Sequence, residues 1–338
     1  MKIFITGESG TIPMSIQELA LNEYNIDVVN TQLEDNFLTH YKAHQSFKIR
    51  KREIDFLDRK LLFSELMIEN VWKKIDVIIH SGAFVGTDYC ESNPNLAIET
   101  NVAGTQNIVE ICNKFDIKLV YLSTTAIFDP KQYDKNNPIT ESTKINPQTI
   151  YGITKYAGEL IVKRLCKTPY LILRPVFGFG DYPHDLHSAL TKVIYVLNRN
   201  YMKNDVKKLK VLLDKKINKS YTRVENISRC IIELLLYSIE SSTWREEYNI
   251  GENHKYSLNW YDLLDIIFDN NKMITYRPND IEFIFNEDYL HWHNINDEKL
   301  ADIKLDFQSL KGYIDIEDGI TFTNNSVIKN IDETPYWI

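Results

Sequence analysis

Lys2-Ile3-Phe4-Ile5-Thr6-Gly7-Glu8-Ser9-Gly10-Thr11-Ile12-Pro13 opens the chain and decides its architecture. The apolar and β-branched run Lys2–Thr6 reads as a buried strand, the glycines as a tight turn, and the apolar spacing of Ser15–Asn22 as the helix that follows. Strand, glycine turn and helix N-terminus in immediate succession suit the pyrophosphate of a dinucleotide. Glycine lets the backbone approach the anion, and the unpaired first-turn amides of the helix point at it. Gly7, Ser9, Gly10, Thr11 and Ile12 are the candidate contacts, and a plain strand-to-helix turn is the lesser alternative for two glycines at this spacing.

The alternation continues outward. Ile26–Asn30, Asp76–His80, Leu119–Ser123 and Leu171–Arg174 are further strand candidates, while Ala97–Phe115 and Tyr151–Cys166 carry apolar residues at helical spacing. Such alternation implies a parallel sheet covered on both faces. The expected fold class is therefore α/β, a Rossmann-like doubly wound parallel sheet in residues 1–170. Residues 171–338 form a smaller α/β lobe, mainly for substrate, with some segments returning to the first domain. That half contains a Gly/Pro/His loop (Phe177–His187), a Lys-rich stretch (Lys203–Lys219), and helical segments at Asn226–Ile239 and Trp260–Asp269.

Composition narrows the class. With 338 residues, 43% hydrophobic and 25% charged, the chain is neither wholly disordered nor fibrous. It holds no apolar run of ~18 residues that would span a membrane. Lys and Arg number 39 against 47 Asp and Glu, and the net charge of -8 disfavours nonspecific attraction to nucleic acid or acidic lipid. The apolar run before Gly7 is short for a signal peptide, so the expected location is cytoplasmic. Cys90, Cys112, Cys166 and Cys230 form no CxxC pair and read as reduced thiols. His184, His187, His291 and His293 lie in separate segments without supporting carboxylates, so no metal is expected.

An acidic residue that would bond the adenosine ribose is expected ~20 residues beyond the glycines. The second strand ends instead in Asn30-Thr31. Without a carboxylate there, nothing repels a ribose 2'-phosphate, and Lys48-Ile49-Arg50-Lys51-Arg52 offers positive charge; this leans the cofactor from NAD(H) toward NADP(H), though such a run also reads as a solvated face.

Tyr121-Leu122-Ser123-Thr124-Thr125 closes a strand with hydroxyls, and Tyr151-Gly152-Ile153-Thr154-Lys155 opens a helix. Residues four apart share a helical face, so Tyr151 and Lys155 are neighbours. A cation there stabilises phenolate and is expected to lower the Tyr151 pKa, allowing proton exchange with a carbinol or carbonyl oxygen that Thr124 also holds.

In this ordered set of motifs the chain resembles the extended short-chain dehydrogenase/reductases of the nucleotide-sugar branch. The residues that carry the likeness are Thr6-Gly7-x-x-Gly10, Asp55-Phe56-Leu57-Asp58, Asp76 through Ala83, Asn101-Val102-x-Gly104-Thr105-x-Asn107, Ser123-Thr124, Tyr151-x-x-x-Lys155, Leu173-Arg174-Pro175 and Tyr248-Asn249-Ile250-Gly251. The resemblance implies Thr124, Tyr151 and Lys155 as catalytic residues. It adds Asp55, Phe56, Ser81, Gly82, Ala83, Asn101, Leu122, Pro175 and Phe177 to the cofactor contacts, with Asn30 beside the ribose and Lys155 on the nicotinamide ribose. Phe84, Thr125, Ala126, Phe177, Lys219 and Arg223 fall on the substrate side, the last two as candidates for its diphosphate or as a solvated loop. His80 becomes part of a cofactor-side turn. Pro13 stands where the family usually has a third glycine.

Three reactions of this branch share hydride chemistry. Dehydratases carry an Asp-Glu pair after the catalytic Thr, and Thr125-Ala126 stand here instead. Thr87-Asp88-Tyr89-Cys90-Glu91, Ser123 through Asp129 and Arg174-Pro175-Val176-Phe177 are similar to dTDP-4-dehydrorhamnose reductase-like proteins, whereas Asp214 through Asn226, with Lys219 in an Arg place, follows the epimerase pattern. The expectation is an NAD(P)H-dependent reductase of a UDP- or dTDP-linked 4-keto-6-deoxyhexose. A 4-epimerase and a non-catalytic regulatory subunit are the alternatives. The resemblance also implies a homodimer built on helices Ala97–Phe115 and Tyr151–Cys166.

Overall fold

The computed structural model describes residues 1–7, 10–29, 56–129, 139–176, 178–179, 209–211, 222–241, 244–251 and 281–283. Its strands are β1 (Lys2–Thr6), β2 (Asp27–Val29), β3 (Val77–His80), β4 (Lys118–Leu122), β5 (Tyr170–Pro175), β6 (Gly178–Phe179), β7 (Leu209–Val211), β8 (Thr222–Arg223), β9 (Glu246–Ile250) and β10 (Ile281–Phe283). The helices are α1 (Thr11–Asn22), α2 (Arg59–Leu62), α3 (Glu65–Asn70), α4 (Thr87–Ser92), α5 (Pro94–Ile98), α6 (Gly104–Phe115), α7 (Ile150–Leu165) and α8 (Val224–Ser241). A six-stranded sheet runs in the order β2-β1-β3-β4-β5-β9, all neighbours parallel. This is the α/β, Rossmann-like architecture expected from the alternation of strands and helices.

Alternation of side chains gives the central strands β1, β3, β4 and β5 two buried faces. On one face Phe4, Ile78, Leu119, Tyr121 and Ile172 join Leu62, Met67, Trp72, Ile108, Cys112 and Val162 in a single core, with the rings of Phe4 and Trp72 edge-on at 4.9 Å. The alternate residues Ile3, Ile5, Val77 and Ile79 are also fully buried or nearly so. Helix α8 is tied to α1 by Ser228 Oγ on the Ile12 carbonyl, by a two-pronged Arg229–Glu23 contact (2.5 and 3.0 Å), and by the Tyr24 hydroxyl on Glu233 at 2.5 Å.

Several elements differ from expectation. The helix expected at Ala97–Phe115 begins at Pro94, which sits where no N–H is needed, and between α5 and α6 a π-helical turn takes in Glu99–Ala103. Helix α4, six residues long, is too short to declare a period in sequence. Strand β9, which the sequence marks only by the Tyr248–Gly251 motif, lies at the sheet edge. It is half-buried over its first three residues, so it lacks the apolar run of a central strand.

The chain divides into two compact units: residues 1–127, 149–175 and 227–250 in one, and 128–148, 176–226 and 251–338 in the other. Beyond residue 170, β5, most of α8 and β9 belong to the first unit. Among the described residues of the second unit, β6 pairs with β8 and β7 with β10, both parallel.

From β1 the chain moves outward to β2 and then crosses back to β3 on the other side. The carboxyl ends of β1 and β3 therefore flank the switch point, where open α/β sheets bind ligands. Gly7 follows β1 with φ +66°, and a Cβ on it would stand 2.7 Å from Gly82 Cα just after β3. A left-handed backbone and backbone-to-backbone contact both require glycine. Gly7→Ala is expected to cost about 2–3 kcal/mol in a denaturant unfolding series. Gly10→Ala, where the nearest atom is a carbonyl oxygen at 3.3 Å, should lose clearly less.

Candidate active site

At the switch point the anion cradle is built from backbone. Gly10 caps α1 without a side-chain contact, its N–H donates to the Gly7 carbonyl at 3.0 Å, and no acidic residue occupies the first turn. The amides of Thr11 and Ile12 face outward from the helix end, where the dipole favours an anion. Pro13 has no N–H to add. It lies against Gly10, with Cδ 3.4 Å from a Cβ built there, so the proline fills the corner that a third glycine would leave open.

Beneath the cradle runs a chain of buried hydrogen bonds. The Thr105 hydroxyl donates to the Asn101 carbonyl (2.7 Å), so it accepts from His80 Nε2 at 3.1 Å. His80 Nδ1 then accepts from the Thr6 hydroxyl (2.7 Å), whose oxygen accepts the Gly82 N–H (2.9 Å). Burial, reinforced by the Lys155 charge, lowers His80 to about 3, so the imidazole is neutral, as this two-sided bonding requires. Asn101 extends the chain: its Oδ1 accepts the Phe84 N–H (2.7 Å), and its Nδ2 donates to the Phe84 carbonyl and to Thr154 Oγ1, each at 3.0 Å. Thr154 Oγ1 donates in turn to the Tyr151 carbonyl at 3.0 Å. A continuous path of partners links the glycine turn to the helix that carries Tyr151.

Helix α7 starts under tight control. Thr149 Oγ1 accepts the Gly152 N–H (3.1 Å), and Glu91 of α4 accepts the Ile150 N–H (2.8 Å), so a hydroxyl and a carboxylate cap the turn that presents Tyr151. Thr124 follows β4. Its oxygen accepts the Ala126 N–H at 3.1 Å, and its hydroxyl is close enough to the Tyr151 phenol to act on the phenol's pKa. One turn along α7 lies Lys155, 2% exposed, with Nζ 4.4 Å from the centre of the Tyr121 ring.

The charge balance corrects one expectation. Burial pushes Tyr151 up to about 12, against the lowering effect of the Thr124 hydrogen bond, so the phenol is protonated at neutral pH. Lys155 is itself brought down to about 7 by burial, with Glu159 acting in the opposite direction. Desolvation outweighs the predicted stabilisation of phenolate by Lys155.

Of the sequence-derived candidates, Gly7 meets Ser81 and Gly82 at the switch point, and Gly10, Thr11 and Ile12 follow it at the start of α1. Thr124, Tyr151 and Lys155 gather at the ends of β4 and α7. Leu122 and Pro175 end neighbouring strands, and Thr125 and Ala126 form the short 3-10 turn after Thr124. The Phe56 ring is wedged between Gly82 and Gly104, 5.3 Å from the His80 ring, which makes it a packing residue. Asn101, 1% exposed, has both amide ends committed to Phe84 and Thr154 and acts as a brace. Arg223 stands in β8. Ser9, Asn30, Asp55, Phe177 and Lys219 lie outside the described residues, as do the basic run at 48–52 and the four histidines at 184, 187, 291 and 293. Glu91 and Thr105 take roles that their motifs do not announce. Thr149, two residues before Tyr151, caps the helix with its hydroxyl.

Among the described residues no helix is long and apolar enough to cross a membrane, and no three metal-ligating side chains are grouped. A model of the family described as the RmlD substrate binding domain matches residues 1–289. The chain is similar to dTDP-4-dehydrorhamnose reductase of Aggregatibacter actinomycetemcomitans, 24% identical over 277 residues that cover 79% of this chain and 78% of that one. It is also similar to dTDP-glucose 4,6-dehydratase of Mycobacterium tuberculosis, 28% identical over 168 residues, 48% of each chain. The chain spans about half the length of the first curated relatives it matches. In fold it is similar to RMD from Pseudomonas aeruginosa complexed with NADPH, with TM-score 0.72, 14% identity, and 98% of this chain and 99% of that one covered. The family match takes in both the glycine turn and the Tyr151 helix, and the protein belongs to the RmlD substrate binding domain family, within the extended short-chain dehydrogenase/reductases.

Proposed function

We propose that the protein is an NAD(P)H-dependent reductase of a nucleoside-diphosphate 4-keto-6-deoxyhexose, UDP- or dTDP-linked. The observation that carries this reading is the set of Thr124 just after β4 with Tyr151 and buried Lys155 one turn apart on α7, where burial favours the protonated phenol. Reduction of a carbonyl needs a proton donor, whereas an epimerase must first take a proton from a carbinol. The Thr125-Ala126 pair offers no carboxyl chemistry for a 4,6-dehydration.

The cradle fits a dinucleotide: Gly7 allows close approach, Thr11 and Ile12 supply amides at the end of a twelve-residue helix, and Lys155 supplies a buried cation. The nicotinamide cofactor, when bound, supplies the hydride. Thr124 orients the Tyr151 hydroxyl, Tyr151 gives its proton to the oxygen at C4 of the sugar, and Lys155 holds the nicotinamide ribose and favours the phenolate that forms. Tyr151→Phe should keep NAD(P)H binding, read by fluorescence titration, and cut turnover by ~10²–10⁴-fold, the range typical of a positioned proton donor. Retention of a tenth of the activity would remove Tyr151 from the acid role.

Asp214 through Asn226, with Lys219 in the Arg place, supports an epimerase as the second reading. A reductase consumes and must exchange its cofactor. The purified protein should therefore oxidise added NAD(P)H only when a 4-keto-6-deoxy sugar nucleotide is present, and should use NADPH at least as well as NADH because Asn30 offers the ribose no carboxylate. Tightly bound NAD with interconversion of 4-epimers and no net absorbance change at the nicotinamide band would establish the epimerase instead.

Exposed Leu96 and Ile98 of α5 and Ile153 and Leu160 of α7 support assembly as a homodimer through these helices. Light scattering should give a dimer that Ile153→Glu combined with Leu160→Glu converts to monomer. A monomeric parent would overturn the dimer and leave the chemistry untouched.

A further inference from the structure

Helix α7 carries Tyr151, Lys155, Glu159 and Lys163 at intervals of four, in one column. The first two are the proposed acid and its partner, and any catalytic role for the rest of the column rests on that reading. Glu159 is fully buried, and both its carboxylate oxygens are engaged from β5: Arg174 donates from Nε to Oε1 and from Nη2 to Oε2, each at 2.8 Å. Arg174, also fully buried, bonds Glu247 of β9 as well, and Lys163 closes the group at 2.6 Å from Glu247 and 3.6 Å from Glu159.

With Lys155 included, the column and its partners hold three cations and two carboxylates, so Arg174 and Lys163 balance Glu159 and Glu247 and the surplus charge falls on Lys155. A direct pair between Lys155 and Glu159 would neutralise it. Such a pair would also draw the ammonium along the helix, away from Tyr151, and occupy its donors. The rigid guanidinium fork prevents this by taking both oxygens. In a buried site the field of a carboxylate one turn away is weakly screened and still reaches the ammonium.

We propose that Glu159 and Arg174 form a positioning pair for Lys155: Arg174 fixes the Glu159 carboxylate, which sustains the Lys155 charge from a distance and leaves the Lys155 N–H groups free for the Tyr151 side. The other groups facing Lys155 are His80 from β3, Tyr121 from β4 and Tyr151 from α7, and α4 brings Cys90 beside Tyr151. Burial keeps all four uncharged near neutrality: His80 is lowered to about 3, Cys90 is raised to about 11, Tyr151 to about 12, and Tyr121 further still. Lys155, lowered to about 7, is the group that titrates in the working range.

The test follows the Lys155 midpoint by NMR of ¹³C-labelled lysine in the full chain, the signal being assigned with Lys155→Arg. Glu159→Gln should lower the midpoint by about one pH unit or more, and Glu159→Asp should restore most of that shift. Arg174→Lys, which reaches only one oxygen, should raise the midpoint because the freed oxygen turns to Lys155. Loss of packing alone would lower thermal stability in both Glu159→Gln and Arg174→Lys without moving the midpoint in opposite directions. An unchanged midpoint in Glu159→Gln, or a shift of the same sign in both variants, overturns the proposal. If Glu159→Gln does not fold, Arg174→Lys decides alone: a rise supports the pair and no rise overturns it. The measurement uses no substrate, so the expected shifts in a protein that oxidises no NAD(P)H on any 4-keto sugar nucleotide would sink the reductase reading and leave the positioning pair standing.

Discussion

A buried imidazole must find a partner for each ring nitrogen, and His80 finds Thr6 on one side and Thr105 on the other. That requirement joins the strand ends at the switch point to the π-helical turn that carries Asn101. Asn101 in turn fixes Phe84 and Thr154, and Thr154 lies within the turn that displays Tyr151. An unpaired polar group along this path would carry the full desolvation cost of about 1–3 kcal/mol. The polar chain therefore holds the glycine turn and helix α7 in one arrangement, and the apolar core around Phe4, Ile78 and Leu119 supplies the burial that makes each bond obligatory.

Burial also sets the chemistry. The low dielectric that strengthens the hydrogen bonds raises Tyr151 and lowers Lys155, so the phenol is protonated and the ammonium sits close to its titration midpoint near neutrality. Two neighbouring groups are thus each displaced on the pH scale toward the neutral form. Small changes in the local field then have large effects on which of them is charged. The Glu159–Arg174–Glu247–Lys163 cluster places fixed charge one turn beyond Lys155 on α7.

Much of this was legible along the chain because periodicity and motif spacing are local. The apolar runs Lys2–Thr6 and Val77–His80, the glycines at 7 and 10, and the four-residue spacing of Tyr151 and Lys155 are enough for the sheet, the glycine turn and the proposed pair. What stayed hidden depends on contacts distant in sequence. Glu91 caps α7 from 59 residues away, and Arg174 reaches Glu159 on the neighbouring helix and Glu247 from 73 residues away. Edge strand β9 and six-residue α4 lack the length or apolar pattern that would mark them.

The sequence by itself determined the fold class and the family and singled out Thr124, Tyr151 and Lys155 as the proposed reactive set, since each follows from residue type at fixed spacing on one strand or helix. The tertiary structure decided how those residues are charged, which candidates serve as braces, and what holds α7 in place. Desolvation and long-range hydrogen bonding depend on what surrounds a group in space. The same spacing that promises a lowered Tyr151 yields a raised one once desolvation of the phenol is counted.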